Sequence, residues 1–187
     1  MAVNGMGTDE ALRFKAEINR RIHDMVEKCY QCGTCTAGCP IADEMDLMPN
    51  QIIRLAQLGL KDEALRSRSI WLCASCITCT TRCPQEVEIA AVMEAMRHMA
   101  IEQRIAPPRE VRHVQTFARA FLRSIRRNGR LFEPGLVMGF NLRSLQPMKD
   151  AGKGPTMFLK GKLNVMPRRI KDLGKIRRIF ERLVPDV

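Results

Sequence analysis

Every cysteine of this chain falls in one of two runs with the same spacing, and nothing else in the sequence constrains the fold as strongly. The first run is Cys29-Tyr-Gln-Cys32-Gly-Thr-Cys35-Thr-Ala-Gly-Cys39-Pro40 and the second is Cys73-Ala-Ser-Cys76-Ile-Thr-Cys79-Thr-Thr-Arg-Cys83-Pro84; together they use all eight cysteines. Both read C-x2-C-x2-C-x3-C-P, a spacing that binds [4Fe–4S] clusters. Three thiolates on a short turning stretch close three corners of a cube, and the x3 step with its proline carries the fourth cysteine outward. Where two such runs occur, that fourth cysteine ligates the other cluster. The expected sets are Cys29, Cys32, Cys35 and Cys83 for one [4Fe–4S] cluster, and Cys73, Cys76, Cys79 and Cys39 for a second.

Other uses of cysteine fit this spacing less well. Structural zinc favours two C-x2-C pairs separated by a longer loop, because four ligands must reach one tetrahedral ion. A disulfide framework belongs to an oxidising compartment, and Met1 to Glu10 has no basic start followed by an apolar stretch, so no signal peptide is expected there. Arg20-Arg21 precedes Ile-His-Asp-Met-Val-Glu-Lys, which is too charged for a twin-arginine signal. A redox-active C-x2-C of the thioredoxin kind needs a βαβ pattern that is absent. A cytoplasmic location is the expectation, and no stretch approaches the ~20 apolar residues of a membrane helix.

Charge divides the chain. Residues 1–104 hold 12 Lys and Arg against 14 Asp and Glu, whereas residues 105–187 hold 19 against 6. An acidic cysteine half joined to a strongly basic half implies two modules with different tasks: a cluster domain over residues 1–105 and a basic, loop-rich docking extension over 106–187.

The cluster half reads as all-α. Residues 9–28 carry Leu12, Phe14, Ile18, Ile22, Met25 and Val26 at helical spacing, capped by Thr8 or Asp9. Asp46 to Arg66 reads as two short helices, with Pro49 in the first turn of one and Gly59 at its end. Trp71 precedes Cys73 by two residues and is read as core packing. Residues 86–103 form a helix striped with Ile89, Val92, Met93, Met96 and Met99. Gly33, Thr34, Ala37, Gly38, Ala74 and Ser75 are small and let backbone N–H groups approach cluster sulfur. His23, His98 and His113 read as surface residues, since eight thiolates already satisfy two cubes.

Beyond Pro107-Pro108, a helix is expected over 109–127, ended by Asn128-Gly129. A loop-rich stretch follows through Pro134-Gly135, Gln146-Pro147, Gly152 to Pro155 and Gly161, and a last basic helix over 168–183 comes after Pro167. With one Trp, one Tyr and seven Phe and no nucleic-acid motif, the basic half does not read as a nucleic-acid binder. Adsorption to a membrane surface fits basic amphipathic helices. Docking on an acidic partner subunit is the favoured reading, because a tail with apolar stripes cannot bury them alone.

With both runs and the helices around them in place, the chain resembles the helical two-cluster ferredoxin domain of succinate dehydrogenase and fumarate reductase iron–sulfur subunits. It more closely resembles the C subunit of heterodisulfide reductase from methanogenic archaea. The resemblance is carried by the two runs through Pro40 and Pro84 and by Ile70-Trp71-Leu72-Cys73, over about residues 25–105. The succinate dehydrogenase subunits add a plant-type [2Fe–2S] domain for which this chain lacks the length. The resemblance implies an electron-transfer subunit of a soluble CoB–CoM heterodisulfide reductase in methanogenesis. Its partners in heterodisulfide reductase would be a flavin-bearing A subunit that bifurcates electrons, a catalytic, disulfide-reducing B subunit, and a hydrogenase or formate dehydrogenase. The alternative is the iron–sulfur subunit of a membrane-linked quinone- or thiol-dependent reductase. No residue of this chain is expected to be catalytic.

Overall fold

Residues four apart on a helix stack on one face, and Phe14, Ile18 and Ile22 do so with almost no exposure. In the computed structural model, which describes residues 8–23, 25–143 and 170–183, they lie on helix α1, Thr8–Ile22. Leu12 was expected on the same stripe but is exposed, as is Met25. Two positions along a helix is a rotation of about 200°, which takes Leu12 off the Phe14 face. The helix expected to run to residue 28 stops at Ile22; His23 takes a left-handed φ of 54°, and a short 3-10 turn, Val26–Lys28, leads into the first run.

The chain divides into two compact units, Met1–Val111 and Arg112–Val187. Among the described residues every regular element of both is helical. In the first unit α2 (Thr34–Ala37) lies within the first cysteine run, and α3 (Pro49–Leu58) and α4 (Lys61–Arg66) follow it. Then α5 (Ser69–Leu72) enters the second run, α6 (Thr78–Thr81) lies within it, and α7 (Ile89–Glu102) leaves it. Pro49 opens α3 where a missing N–H costs nothing, and Gly59 closes it at φ 70°, donating to the Ala56 and Leu55 turn. A side chain at Gly59 would also meet the backbone of Ala11, so α3 ends directly against α1.

The core of this unit is built from α1, α3, α4, α5 and α7. Ile18, Ile52, Ile53, Leu65, Ile70, Ile89, Met93 and Met96 are fully buried, and α7 packs against α1, α4 and α5. Arg21 on α1 joins that core at its rim, pairing with Glu17 at 2.6 Å and with Glu102 of α7 at 2.7 Å. The helices within the two runs, α2 and α6, are in contact with each other.

In the second unit α8 (Arg112–Asn128) packs on α9 (Glu133–Arg143) and on α10 (Leu173–Leu183). Phe117 meets Phe140 edge-on at 5.6 Å. The region from Pro134 was expected to be loop, but α9 runs through it; Pro134 sits in the first turn, where it is tolerated. The last helix starts at Leu173 rather than 168. The expected turns at Gln146-Pro147, Gly152 to Pro155, Gly161 and Pro167 lie outside the described residues. No described helix is long and apolar enough to cross a membrane.

Candidate metal centre

The two runs repeat one backbone path at an offset of 44 residues. Gln31 and Ser75 both adopt left-handed φ values, 63° and 51°, and so do Gly33 and Ile77, 78° and 57°, which head α2 and α6. The four-residue helices then turn the chain, and the N–H of Cys39 donates to Thr36 O as that of Cys83 does to Thr80 O. A left-handed β-branched residue such as Ile77 costs about 1–2 kcal/mol and persists only where its surroundings hold it.

What holds the entry to each run is also repeated, by different chemistry. Gln57 on α3 donates from Nε2 to the carbonyls of Val26 and Cys29, at 2.9 and 2.7 Å. Arg97 on α7 donates to the equivalent carbonyls of the second half, Ile70 at 2.6 Å and Cys73 at 2.7 Å. Nothing in the local sequence marks these two residues; only the 44-residue offset relates their acceptors. Asp46 closes the excursion between the runs. Its carboxylate accepts from the N–H groups of Arg68 and Ser69 and from the Ser69 hydroxyl, at 2.8, 3.0 and 2.7 Å.

The cysteines divide as this path dictates. Cys32 and Cys76 are exposed, Cys35 is buried, and the other five are half-buried. Cys39 lines one small cavity together with Cys73, Cys76 and Cys79, closed by Ile41, Met45 and Met93. On the other side the Tyr30 phenol bonds Cys32, and with Cys83 and Cys29 also beside it, its pKa is raised. The fourth cysteine of the first run therefore stands with the first three of the second.

Thiol chemistry differs along each run in a repeated way. Thr34 Oγ1 lies 3.3 Å from Cys32 Sγ, and Thr78 Oγ1 lies 3.5 Å from Cys76 Sγ. These hydroxyl contacts hold both exposed thiols below the usual cysteine range. Burial pushes the Cys35 and Cys79 thiols up. Further donors reach sulfur from Gln31 Nε2 to Cys29 at 3.4 Å and from the Val87 N–H to Cys83 at 3.4 Å.

These residues fit iron–sulfur clusters. Eight soft cysteine sulfurs, with the Gln31 amide and the Val87 N–H donating to two of them, are the kind of ligation such clusters use. Among the described residues no three His, Cys, Asp or Glu converge on a single ion; a cube takes one thiolate at each of four irons, so its ligands stand further apart than those of one zinc. The indole N–H of Trp71 is buried without an acceptor, as a donor facing a group outside the polypeptide would be. Of the small residues expected near sulfur, Thr34 bonds Cys32, Ala74 lines the cavity holding Cys39, and Gly38 lies under the Arg82 side chain. His23, His98 and His113 are exposed, and His98 pairs with Glu94 at 3.7 Å.

Comparison with known proteins agrees with this geometry. Residues 25–87 match a family model described as a 4Fe-4S dicluster domain. The chain is 38% identical over 95 residues to the C subunit of the H(2):CoB-CoM heterodisulfide,ferredoxin reductase of Methanothermobacter thermautotrophicus, covering 51% of each chain. It is 42% identical over 78 residues to the iron-sulfur C subunit of the CoB--CoM heterodisulfide reductase of Methanopyrus kandleri, covering 42% of this chain and 41% of that one. It is also 38% identical over 80 residues to the C subunit of the Ferredoxin:CoB-CoM heterodisulfide reductase of Methanosarcina acetivorans, covering 43% and 32%. The chain spans about half the length, or less, of these relatives. Over its cysteine half it is similar to heterodisulfide reductase C subunits, and the stretch that matches the 4Fe-4S dicluster model is helical.

Proposed function

We propose that the chain is the electron-transfer iron–sulfur subunit of a soluble CoB–CoM heterodisulfide reductase, relaying electrons from a flavin subunit to a disulfide-reducing subunit in the cytoplasm of a methanogen. The observation that carries the reading is the placement of Cys39 in one cavity with Cys73, Cys76 and Cys79. It supports two [4Fe–4S] clusters with crossed ligation: Cys29, Cys32, Cys35 and Cys83 for one, and Cys73, Cys76, Cys79 and Cys39 for the other. When bound, such clusters supply one-electron redox chemistry and nothing more.

The residues themselves bind, bury and tune. Contact between α2 and α6 keeps the two sets adjacent, so that clusters held by them would lie close enough to exchange one electron. Ile41, Met45 and Met93 keep water from one set, and Tyr30 and Thr34 offer hydroxyls to the other. No cysteine is left over as a nucleophile, so the reduction of a disulfide belongs to a partner. The extension over 106–187, with its excess of Lys and Arg, is the docking module for the flavin and catalytic subunits, with a hydrogenase or formate dehydrogenase further out.

Anaerobic copurification without crosslinking tests the complex. Large flavin and cluster subunits are the expected companions; a haem-bearing membrane anchor or nucleic acid would overturn the assignment. The ligand sets are tested by following each cluster's spectroscopic signature, assigned with Cys32→Ala and Cys76→Ala. Cys39→Ala must then damage the cluster that Cys76→Ala damages; damage to the other one refutes crossed ligation.

A further inference from the structure

The repeat is broken at one place beside sulfur. In the first half, the Thr36 hydroxyl donates to Asn50 Oδ1 at 2.6 Å, the Asn50 amide donates to Gln31 Oε1 at 3.4 Å, and the Gln31 amide donates to Cys29 Sγ at 3.4 Å. All three side chains are half-buried between α2, α3 and the run. In such a chain each donor polarises the next in the same sense, and every link ends on the ligand sulfur.

The second half has no such chain. The residue 44 positions after Gln31 is Ser75, too short to reach back to Cys73, and the residue that takes the place of Asn50 at the head of the following helix is Ala90, which has no side-chain amide. Thr80, the counterpart of Thr36, accepts the Ala90 N–H at 3.2 Å as Thr36 accepts the Asn50 N–H at 3.4 Å, but no side-chain amide follows to carry the chain on to sulfur. Arg97 acts on that side through the Cys73 carbonyl and not on a sulfur, so it is a separate lever. Gln31 also holds its place at φ 63°, a conformation that costs a non-glycine residue energy unless its contacts repay it.

We propose that Gln31 raises the reduction potential of the cluster bound by Cys29, with Asn50 and Thr36 as positioning residues that aim its amide at the sulfur. A donor to a ligand sulfur stabilises the reduced, more negative state more than the oxidised one, and hydrogen bonds to sulfur are one of the established levers on cluster potential. The inference rests on the reading that Cys29 is a cluster ligand, but not on which run supplies the fourth ligand.

The test is a redox titration, followed by electron paramagnetic resonance, of the full-length chain reconstituted anaerobically. The two signals are first assigned with Cys32→Ser and Cys76→Ser. Gln31→Met keeps the length of the side chain and removes the donor. The cluster perturbed by Cys32→Ser should become harder to reduce by roughly tenfold, about 59 mV for a one-electron couple, while the other midpoint stays fixed as an internal control. Asn50→Ala should move the same midpoint in the same direction by less, and serves as the decisive variant if Gln31→Met fails to retain iron. Unchanged midpoints in iron-replete variants overturn the inference, as does a shift confined to the other cluster. A chain that binds no iron and sulfide overturns the cluster reading instead.

Discussion

Removing the carboxylate of Asp46 should loosen the cluster unit without touching a cysteine. Asp46 accepts the Leu47 N–H at 2.9 Å, the Arg68 N–H at 2.8 Å, the Ser69 N–H at 3.0 Å and the Ser69 hydroxyl at 2.7 Å. The Arg68 and Ser69 N–H groups head α5, so Asp46→Ala removes a carboxylate cap from that helix and leaves residues 46–47 held to 68–69 only through the Ser69 hydroxyl and the Leu47 backbone. Net hydrogen bonds to a charged group contribute about 1.5–3 kcal/mol each, but they are not additive and the Asp46 side chain is partly exposed. A loss of about 2–3 kcal/mol is expected. With a urea slope near 2 kcal/mol/M for a small unit, the midpoint should fall by about 1–1.5 M. The assay is anaerobic urea unfolding of the reconstituted chain, followed by cluster absorbance and far-ultraviolet circular dichroism. A midpoint within about 0.3 M of the parent refutes the reasoning.

The same residue makes a signed pH prediction. Burial raises the Asp46 pKa, but the hydrogen bonds from the Arg68 N–H and from the Ser69 hydroxyl and N–H outweigh it and hold the carboxyl below its ordinary value. A depressed folded pKa means that the unfolded chain binds the extra proton. The contribution is therefore fully present above an unfolded carboxyl pKa of about 3.9 and is lost as pH falls through the folded value. Between pH 6 and 8 the gap between parent and Asp46→Ala should stay flat; a gap that grows across that window points to another group.

The anaerobically purified chain should carry close to eight iron and eight acid-labile sulfide per molecule by colorimetric assay; zinc without sulfide would sink the cluster assignment. Gly59→Ala should cost several kcal/mol in the same unfolding assay, because a methyl there meets the Ala11 backbone as well as straining φ 70°. Arg97→Ala frees the Ile70 and Cys73 carbonyls and Gln57→Ala frees those of Val26 and Cys29, and either should speed iron release to a chelator from both sites together. Truncation after Val111 removes no cysteine and should leave iron content intact while abolishing coelution with the partner subunits on size-exclusion chromatography.

What the sequence made legible was what short-range chemistry decides. Pro49 and Gly59 bound α3, the Met93 and Met96 stripe of α7 is buried, and Gly129 ends α8 at φ 77°, each because a local conformational preference and a helical period agree. The early stop of α1 at Ile22 was not legible, since it follows from a left-handed His23 that no Gly or Pro announces. Neither was α9, because Pro134 and Gly135 read as breakers unless the first turn of a helix is already placed there. The residues that support the cysteine runs were also hidden. Gln57, Arg97 and Asp46 act across 22 to 31 positions of sequence, and polar side chains at such separations leave no period to detect.

Crossed sets give these hidden contacts their consequence. If each cluster draws three thiolates from one run and one from the other, neither run completes a set by itself, and cluster loading becomes part of the folding equilibrium of the whole unit. The chain between Pro40 and Leu72 must then return to a fixed place, and α3, α4 and α5 are the rigid path by which it does so. Asp46 fixes one end of that path to the other, while Gln57 and Arg97 fix the runs to the helices that follow them. A weakened tie anywhere on it displaces Cys39 or Cys83 relative to the opposite run. Substitutions far from sulfur should therefore release iron from both sites together, whereas a single run per cluster would let one site fail while the other stands.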